Sequence, residues 1–197
     1  MAAMATQREH REGNDRREQV LNAAMEAIAE VGVDKLRMTH IARKAGMTPG
    51  HILYYFGRKD RILIETLRWS ESDLERRRAE DLGRITDPHE RLRRFISLYL
   101  PTGRDDMRWR LWTQIWSHPQ RDPETLAELE RSFGTWQRDL AEILEAVGVA
   151  DAVIAAKLIC YTLDGISLDY LTGTGPDAAD DVFDIGLDAA TRLIMSG

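Results

Sequence analysis

The amino-acid sequence predicts an all-α protein of about nine helices. Apolar residues recur every three or four positions along most of the chain, and no useful stretch alternates with a period of two. Aspartate–proline pairs at 87–88 and 122–123 each place a capping carboxylate before a proline at the first helical position. Residues 36–59 have the pattern of two short helices joined by a glycine-containing turn. Together these observations favour helices throughout the chain.

Length and composition limit the class of protein. The chain has 197 residues, of which 43% are hydrophobic and 30% charged, as in an ordinary soluble protein with a sizeable core. No apolar run approaches the roughly 18 residues that a membrane helix needs. The single Cys160 excludes an intrachain disulfide and a cysteine metal cluster. We therefore expect a cytoplasmic protein with no membrane association and no cofactor.

The net charge of −6 is unevenly distributed. Residues 1–60 contain ten Lys or Arg and eight Asp or Glu, so the excess of acidic residues lies in 61–197. Because phosphate neutralisation is local, a mildly basic N-terminal region on an acidic body is compatible with DNA binding.

Residues 36–59 carry the most specific pattern in the chain. The first short helix has an apolar face formed by Ile41, Ala42 and Ala45. Gly46 ends that helix, since glycine readily adopts a left-handed conformation. Thr48 then caps a second helix that begins with Pro49. Two helices joined in this way form a helix-turn-helix, whose second helix enters the DNA major groove.

The residues predicted to contact DNA lie on or beside these two helices. They are Arg37, Thr39, Lys44, Thr48, Pro49, Gly50, His51, Tyr54, Tyr55 and Lys59. We expect His51 and Tyr55 at bases or the adjoining backbone, and Lys59 at a phosphate through its charge. Residues 1–13 are predicted to be a disordered arm. Contact with the DNA backbone and a merely solvated tail are both open interpretations for Arg8, Arg11, Arg16 and Arg17.

The segment IARKAGMTPGHILYYFGRK resembles the DNA-binding segment of the tetracycline-repressor (TetR) family, with its "IA..AG" helix and "YYF..K" recognition segment. Two positions depart from the family pattern: Leu53 replaces a common phosphate-contacting tyrosine, and Arg37 replaces a frequent threonine. The resemblance implies a dimeric, ligand-responsive repressor. Its DNA-binding domain would be 14–60, and 61–197 would bind the effector and dimerise.

The last two predicted helices, 151–171 and 177–195, are unusually apolar for surface helices. They form either a buried pair within one subunit or a two-fold interface. The interface is favoured, because a helix-turn-helix normally binds two half-sites as a symmetric pair. The resemblance likewise implies a four-helix bundle. The predicted interface residues are Ile154, Leu158, Gly165, Ile166, Leu168, Gly186 and Leu193.

An aromatic cluster predicts an effector pocket in the C-terminal domain. Its residues are Trp69, Phe95, Tyr99, Trp109, Trp112, Trp116, Tyr161 and Asp164, with Gln114 or His118 as further polar anchors. Core packing is the alternative for each ring. An aromatic box suits a quaternary or polyamine cation. The segment WRLWTQIWSHPQRDPE is similar to the choline-responsive betaine-pathway repressor branch of the family.

No catalytic constellation is evident in the sequence. His40 and His51 lie within the helix-turn-helix, and the other histidines lack metal-ligand spacing. Cys160 lies in an apolar helix, as an inert core thiol would. We therefore expect a non-enzymatic regulator whose partners are palindromic double-stranded operator DNA, a small-molecule effector and a second copy of the chain. The competing function is a helical protein–protein interaction module without DNA binding.

Overall fold

The computed structural model describes residues 2–57, 59–117 and 123–195, with side chains from 15 onward except at 59 and 60. Within these ranges the chain forms nine α-helices and no strand, which confirms the predicted fold class. They are α1 (Ala2–Lys35), α2 (Met38–Ala45), α3 (Pro49–Phe56), α4 (Lys59–Gly83), α5 (Pro88–Tyr99), α6 (Met107–Ser117), α7 (Pro123–Val147), α8 (Ala152–Thr172) and α9 (Ala179–Met195). The predicted cap Asp122 and the predicted anchor His118 lie outside the described residues.

Helix α1 occupies residues 2–13, where the sequence predicts a disordered arm. This segment is rich in Ala, Met, Gln, Arg and Glu, all strong helix formers, so the helix extends through it.

Near the other end of α1 the backbone leaves the helical conformation at Gly32, with φ 75° and ψ 162°. A Cβ atom on Gly32 would lie 2.9 Å from Oε1 of Gln114 on α6. That oxygen accepts a hydrogen bond from the backbone N–H of Val33 at 3.2 Å. The left-handed φ at position 32 therefore favours glycine, which also avoids this close contact.

The chain divides into two compact units. The head unit comprises Met1–Ser72 and Met107–Thr125, and the body unit comprises Asp73–Asp106 and Leu126–Gly197. These limits differ from the predicted boundary between residues 60 and 61. The first half of α4 and all of α6 group with the helix-turn-helix, because α6 contacts both α1 and α4 through Gln114 and Trp112.

The core of the head unit includes the predicted apolar face of α2, whose Ile41, Ala42 and Ala45 are buried. Its fully buried side chains come from α1, α2, α3 and the start of α4. They include Val20, Leu21, Ala24, Ile28, Ile41, Ala42, Ile52, Phe56 and Ile62. Burying a side chain of this size stabilises the fold by about 1.5–3 kcal/mol, which holds the short α2 and α3 in place.

A buried arginine connects α4 to α7 in the body unit. Arg78 is 1% exposed, and its guanidinium carbon lies 3.7 Å from the centroid of the Trp136 ring. Its Nε donates to Oδ2 of Asp139 at 2.7 Å. Arg78 was not predicted from the sequence to be buried. The nearby Arg76 instead forms exposed ion pairs with Asp73 and Glu80. Removing the carboxylate would leave a buried charge without its counter-ion.

We expect Asp139→Asn to lower the free energy of unfolding by about 2–3 kcal/mol, slightly below the usual cost of breaking a buried ion pair because Asp139 is partly exposed. Urea denaturation at a fixed protein concentration measures this change. The matched control is Asp188→Asn, which removes the partner of the exposed Arg192 and should have little effect. Equal stability of the two variants would contradict the structural role of Arg78.

Candidate nucleic-acid interface

Helices α2 and α3 form the predicted helix-turn-helix. Gly46 follows α2 in the left-handed conformation, with φ 63° and ψ 30°, and its N–H caps the end of that helix. The hydroxyl of Thr48 accepts a hydrogen bond from the backbone N–H of His51 at 3.3 Å, and Pro49 occupies the first position of α3. Local sequence signals therefore determine where α2 ends and α3 begins.

Helix α3 presents three parallel edges on its outward side. Its inward residues, Ile52 and Phe56, are buried against the head core. Pairs four positions apart lie next to each other on a helix surface. The apolar edge is Pro49 and Leu53, the tip is Gly50 and Tyr54, and the polar edge is His51 and Tyr55. Tyr54 is 83% exposed, so the tip protrudes furthest.

A cleft of about 590 Å³ borders the polar edge of α3. It is lined by Arg16 and Gln19 of α1, the turn at 45–48, His51 and Tyr55. The amide of Gln19 donates to the carbonyl oxygen of Ala45 at 2.9 Å, which holds α1 against the turn. The cleft therefore brings together a guanidinium, an imidazole and a phenol beside the predicted recognition helix.

The structure distinguishes the arginines considered for DNA contact. Arg17 forms an ion pair with the buried Glu65, and its guanidinium carbon lies 5.7 Å from the centroid of the Phe56 ring. Arg16 instead lines the cleft and is exposed. The side chains of Arg8 and Arg11 lie outside the described residues.

Lys44, one of the predicted DNA contacts, is paired with carboxylates of α1 in the structure. Its Nζ lies 3.0 Å from a carboxylate oxygen of Glu30 and 3.4 Å from one of Glu26, both on α1. The hydrogen bond between Lys44 and Glu30 raises the pKa of the ammonium and lowers the pKa of the carboxyl. Lys44 therefore braces α2 against α1.

The other predicted contacts occupy different positions around α2 and α3. Arg37 and Thr39 are exposed at the start of α2, and the N–H of Arg37 donates to Nδ1 of His40 at 3.3 Å. Lys59 begins α4, but its side chain lies outside the part of the chain that is described.

The residues predicted for the effector pocket divide between the two units. Trp69, Trp109, Trp112 and Trp116 belong to the head unit, and Phe95, Tyr99, Tyr161 and Asp164 belong to the body unit. Trp69 lines a groove of about 280 Å³ between α1 and α4. Tyr161 is 59% exposed on α8, so packing places it on the surface of the subunit and not within an aromatic cluster.

Three tryptophans and a buried carboxylate form a cluster in the head unit, here called the tryptophan cluster. The ring centroid of Trp116 lies 5.9 Å from that of Trp109 and 5.6 Å from that of Trp112. Nε1 of Trp112 donates to Oε1 of Glu71 at 2.7 Å, and Glu71 is 4% exposed. The sequence analysis missed Glu71. Glu71 lies four positions after the buried Leu67, so the two share one face of α4, and this spacing could have indicated its burial.

A second carboxylate–aromatic cluster lies in the body unit. The hydroxyl of Tyr99 donates to Oδ1 of Asp164 at 2.7 Å. The ring of Tyr99 lies edge-on to Trp136, with centroids 4.9 Å apart, and Phe95 lies 5.4 Å from the same indole. The structure thus brings together Phe95, Tyr99 and Asp164 of the predicted pocket, and Trp136 of α7 joins them.

Helix α8 carries an exposed apolar seam. Its large residues Ile154, Leu158, Tyr161 and Leu168 are all exposed. Together with the exposed Gly165, they are spaced alternately four and three positions apart, which is the heptad spacing of a helix–helix seam. Ile166 and Leu193 are half-buried.

Gly186 lies inside the body unit, not on the predicted dimer surface. A Cβ atom on it would lie 3.0 Å from side-chain carbons of Leu100 and Leu163. The close helix approach that this glycine permits is therefore within one subunit.

The free thiol of Cys160 is buried in the body unit. Burial, and then the charge of Asp164, raise the pKa of the Cys160 thiol to about 12, so it is protonated at neutral pH. Among the described residues no group of His, Cys, Asp and Glu is placed to hold a metal ion. None of the described helices has the length and apolar character needed to cross a membrane.

Two family matches account for most of the chain. Residues 20–66 match the family described as bacterial regulatory proteins, tetR family, and residues 88–194 match the BetI-type transcriptional repressor C-terminal domain. The second match alone covers more than half of the 197 residues. The chain belongs to the TetR family. It is therefore a helix-turn-helix transcriptional regulator with a BetI-type C-terminal domain, as the resemblances in the helix-turn-helix segment and in the segment 109–124 implied.

Individual relatives agree with this assignment. The chain is 31% identical to the transcriptional regulator BetI of Stenotrophomonas maltophilia (strain R551-3) over 121 residues, which are 59% of this chain and 60% of that regulator. It is 28% identical to BetI of Burkholderia thailandensis over 169 residues, 82% and 84% of the two chains. A solved transcriptional regulator from Saccharomonospora viridis in complex with choline superimposes with a TM-score of 0.81 at 28% identity, covering 89% and 95%.

Proposed function

We propose that this TetR-family regulator is a cytoplasmic homodimer that represses transcription from a palindromic operator and is released by a small organic cation. The observation that carries the proposal is the outward surface of α3. Its tip and polar edge project from the head core, and its N-terminus is capped by Thr48. A helix whose tip and polar edge are exposed in this way is suited to the DNA major groove.

The residues around α3 have distinct proposed roles. His51 and Tyr55, beside the cleft that contains Arg16, contact base edges or the adjoining backbone. Thr39, Thr48 and the N-terminus of α3 hold phosphates through hydroxyl and backbone N–H groups. Lys59 supplies a positive charge at the start of α4. Phosphate contacts of this kind give binding that weakens with salt, which a protein-interaction module would lack.

We expect Lys59→Ala to weaken binding to all DNA sequences alike and to lower the salt slope by about one unit per subunit. Fluorescence anisotropy with a selected operator, measured over a series of salt concentrations, gives that slope. Lys44→Ala is the matched control, because Lys44 is committed to Glu26 and Glu30 and should leave the slope unchanged. A wild-type salt slope in Lys59→Ala would contradict the phosphate contact of Lys59. If the wild type shows no salt-sensitive binding, the function is instead that of a protein–protein interaction module without DNA binding.

The proposed dimer interface is the apolar seam of α8. Single exposed leucines are scattered over most protein surfaces. Exposed large apolar residues that follow heptad spacing along one helix instead indicate a surface for a partner helix. A two-fold dimer would also place two copies of α3 on successive major grooves, as a palindromic operator requires. Ile166 and Leu193, being half-buried, would contribute at the margin of this interface.

We expect Leu168→Glu to dissociate the dimer and to reduce operator affinity, because an unpaired carboxylate in an apolar interface costs several kcal/mol. Sedimentation velocity reports the oligomeric state. Leu126→Glu is a closely matched control, since Leu126 and Leu168 are both 44% exposed and only Leu168 lies on α8. An unchanged dimer in Leu168→Glu, or dissociation in both variants, would move the interface away from the seam.

The tryptophan cluster is the proposed effector site. Its rings offer negative faces to a cation, and Glu71 provides a buried carboxylate beside them. Trp116 is partly exposed, which gives a ligand access to the cluster. The choline complex of the Saccharomonospora viridis regulator supports a ligand of the same class. The Tyr99–Asp164 pair in the body unit is the other location with suitable chemistry.

Contacts within the head unit offer a route from this site to the DNA-binding helices. Trp112 connects α6 to α4 through Glu71, and Gln114 connects α6 to α1 through Val33. Since α2 packs on α1 and α3 packs on α2, a displacement of α6 would shift the surface on which they rest. A hundredfold loss of operator affinity requires only about 2.7 kcal/mol of coupling, and the operator must weaken effector binding by the same factor.

We expect Glu71→Gln to weaken choline binding about tenfold, because it removes the buried charge and keeps the acceptor for Trp112. Tryptophan fluorescence quenching measures the affinity, with and without operator. The uncharged isostere 3,3-dimethyl-1-butanol should bind the wild type and Glu71→Gln equally. Asp164→Asn is the control, and a larger loss in that variant would place the site in the body unit.

A further inference from the structure

We propose that the apolar edge of α3 reads thymine methyl groups in the operator, with Leu53 as the specificity-determining residue. Leu53 is 46% exposed and lies four positions after the exposed Pro49, so the two form one apolar surface. This inference rests on the proposed placement of α3 in the major groove. On this proposal, α3 recognises a methyl group on the side opposite His51.

The position of Leu53 distinguishes it from an ordinary surface leucine. Isolated exposed leucines are common on soluble proteins. Leu53, however, lies on an eight-residue helix whose inward side is already filled by Ile52 and Phe56. At about 100° per residue, Leu53 and His51 lie on opposite flanks of the tip formed by Gly50 and Tyr54. The outward surface of α3 is therefore divided into a polar flank and an apolar flank.

Gly50 makes the apolar edge accessible to a base pair. A Cβ atom added there would have only the Thr48 hydroxyl oxygen within 4 Å, at 3.9 Å, so the space outside Gly50 is open. Without a side chain at this position, the backbone of α3 can approach the floor of a groove closely. A close approach at Gly50 would carry its neighbour Leu53 to the depth of the base edges.

The chemistry of the major groove supplies an apolar partner. A leucine side chain cannot donate a hydrogen bond, so it cannot hold a phosphate or pair with a base heteroatom. Each thymine presents a C5-methyl group in the major groove, and apolar side chains contact it. Removing one methyl group from water corresponds to about a fourfold gain in affinity. We therefore expect a thymine on the Leu53 side of each half-site.

Replacing thymine by deoxyuridine tests this contact directly, since it deletes the methyl group and preserves base pairing. An operator is selected from random DNA with the wild-type protein, and each of its thymines is replaced in turn. We expect one position in each half-site at which the wild type binds about fourfold more weakly, and about fifteenfold when both half-sites are changed. Anisotropy at constant salt gives these ratios.

The variant Leu53→Ala should bind the thymine and deoxyuridine operators equally at that position. Leu126→Ala, at a leucine of similar exposure on α7, should keep the wild-type ratio. The inference is overturned if no thymine is sensitive in the wild type, a result that does not depend on the folding of any variant. It is also overturned if Leu53→Ala loses affinity and retains the ratio. Failure of the wild type to select any DNA would refute the proposed function itself, and this inference with it.

Discussion

The close contact between Gly32 and Gln114 is the constraint on which the head unit depends. Helix α1 must leave its helical path at Gly32 for the N–H of Val33 to reach the Gln114 side chain. The left-handed φ of 75° at position 32 favours glycine, and a Cβ atom there would lie 2.9 Å from that oxygen. Because this contact attaches α6 to α1, the DNA-binding helices share a core with a helix from the second half of the chain. The same arrangement places the tryptophan cluster in the unit that carries α3.

Charged residues near the helix-turn-helix serve two competing purposes. Short helices such as α2 and α3 are marginal by themselves, so they need contacts to α1 and α4. Lys44 joins α2 to α1 through Glu30, and Arg17 of α1 pairs with Glu65 of α4 beside the Phe56 ring of α3. The charges of Lys44 and Arg17 are thereby partly neutralised. Arg16 remains at the cleft beside α3. A count of basic residues therefore overstates how many are available to DNA. For this reason the small positive balance of residues 1–60 is only compatible with DNA binding and does not by itself indicate it.

Helix positions were largely predictable, because their signals are local. Gly46, Thr48 and Pro49 specify where α2 ends and α3 begins through their own backbone preferences. The predicted limits of the last two helices, 151–171 and 177–195, differ from those of α8 and α9 by only a few residues for the same reason. Helix α1 includes residues 2–13, for which a disordered arm was expected, since a polar segment without an apolar period can still be composed of strong helix formers. Partners such as Arg78 and Trp136 were also missed, because they are far apart in sequence.

The sequence by itself determined the all-α class, the helix-turn-helix and the family, because each depends on residues a few positions apart. Only the tertiary structure decided which side chains meet. Val33 and Gln114 are 81 positions apart, and Glu71 and Trp112 are 41 apart. No spacing rule connects residues at such separations, since their contact depends on how whole helices pack. For that reason the structure, and not the sequence, assigned Lys44 to α1, divided the aromatic residues between two units and left the seam of α8 exposed.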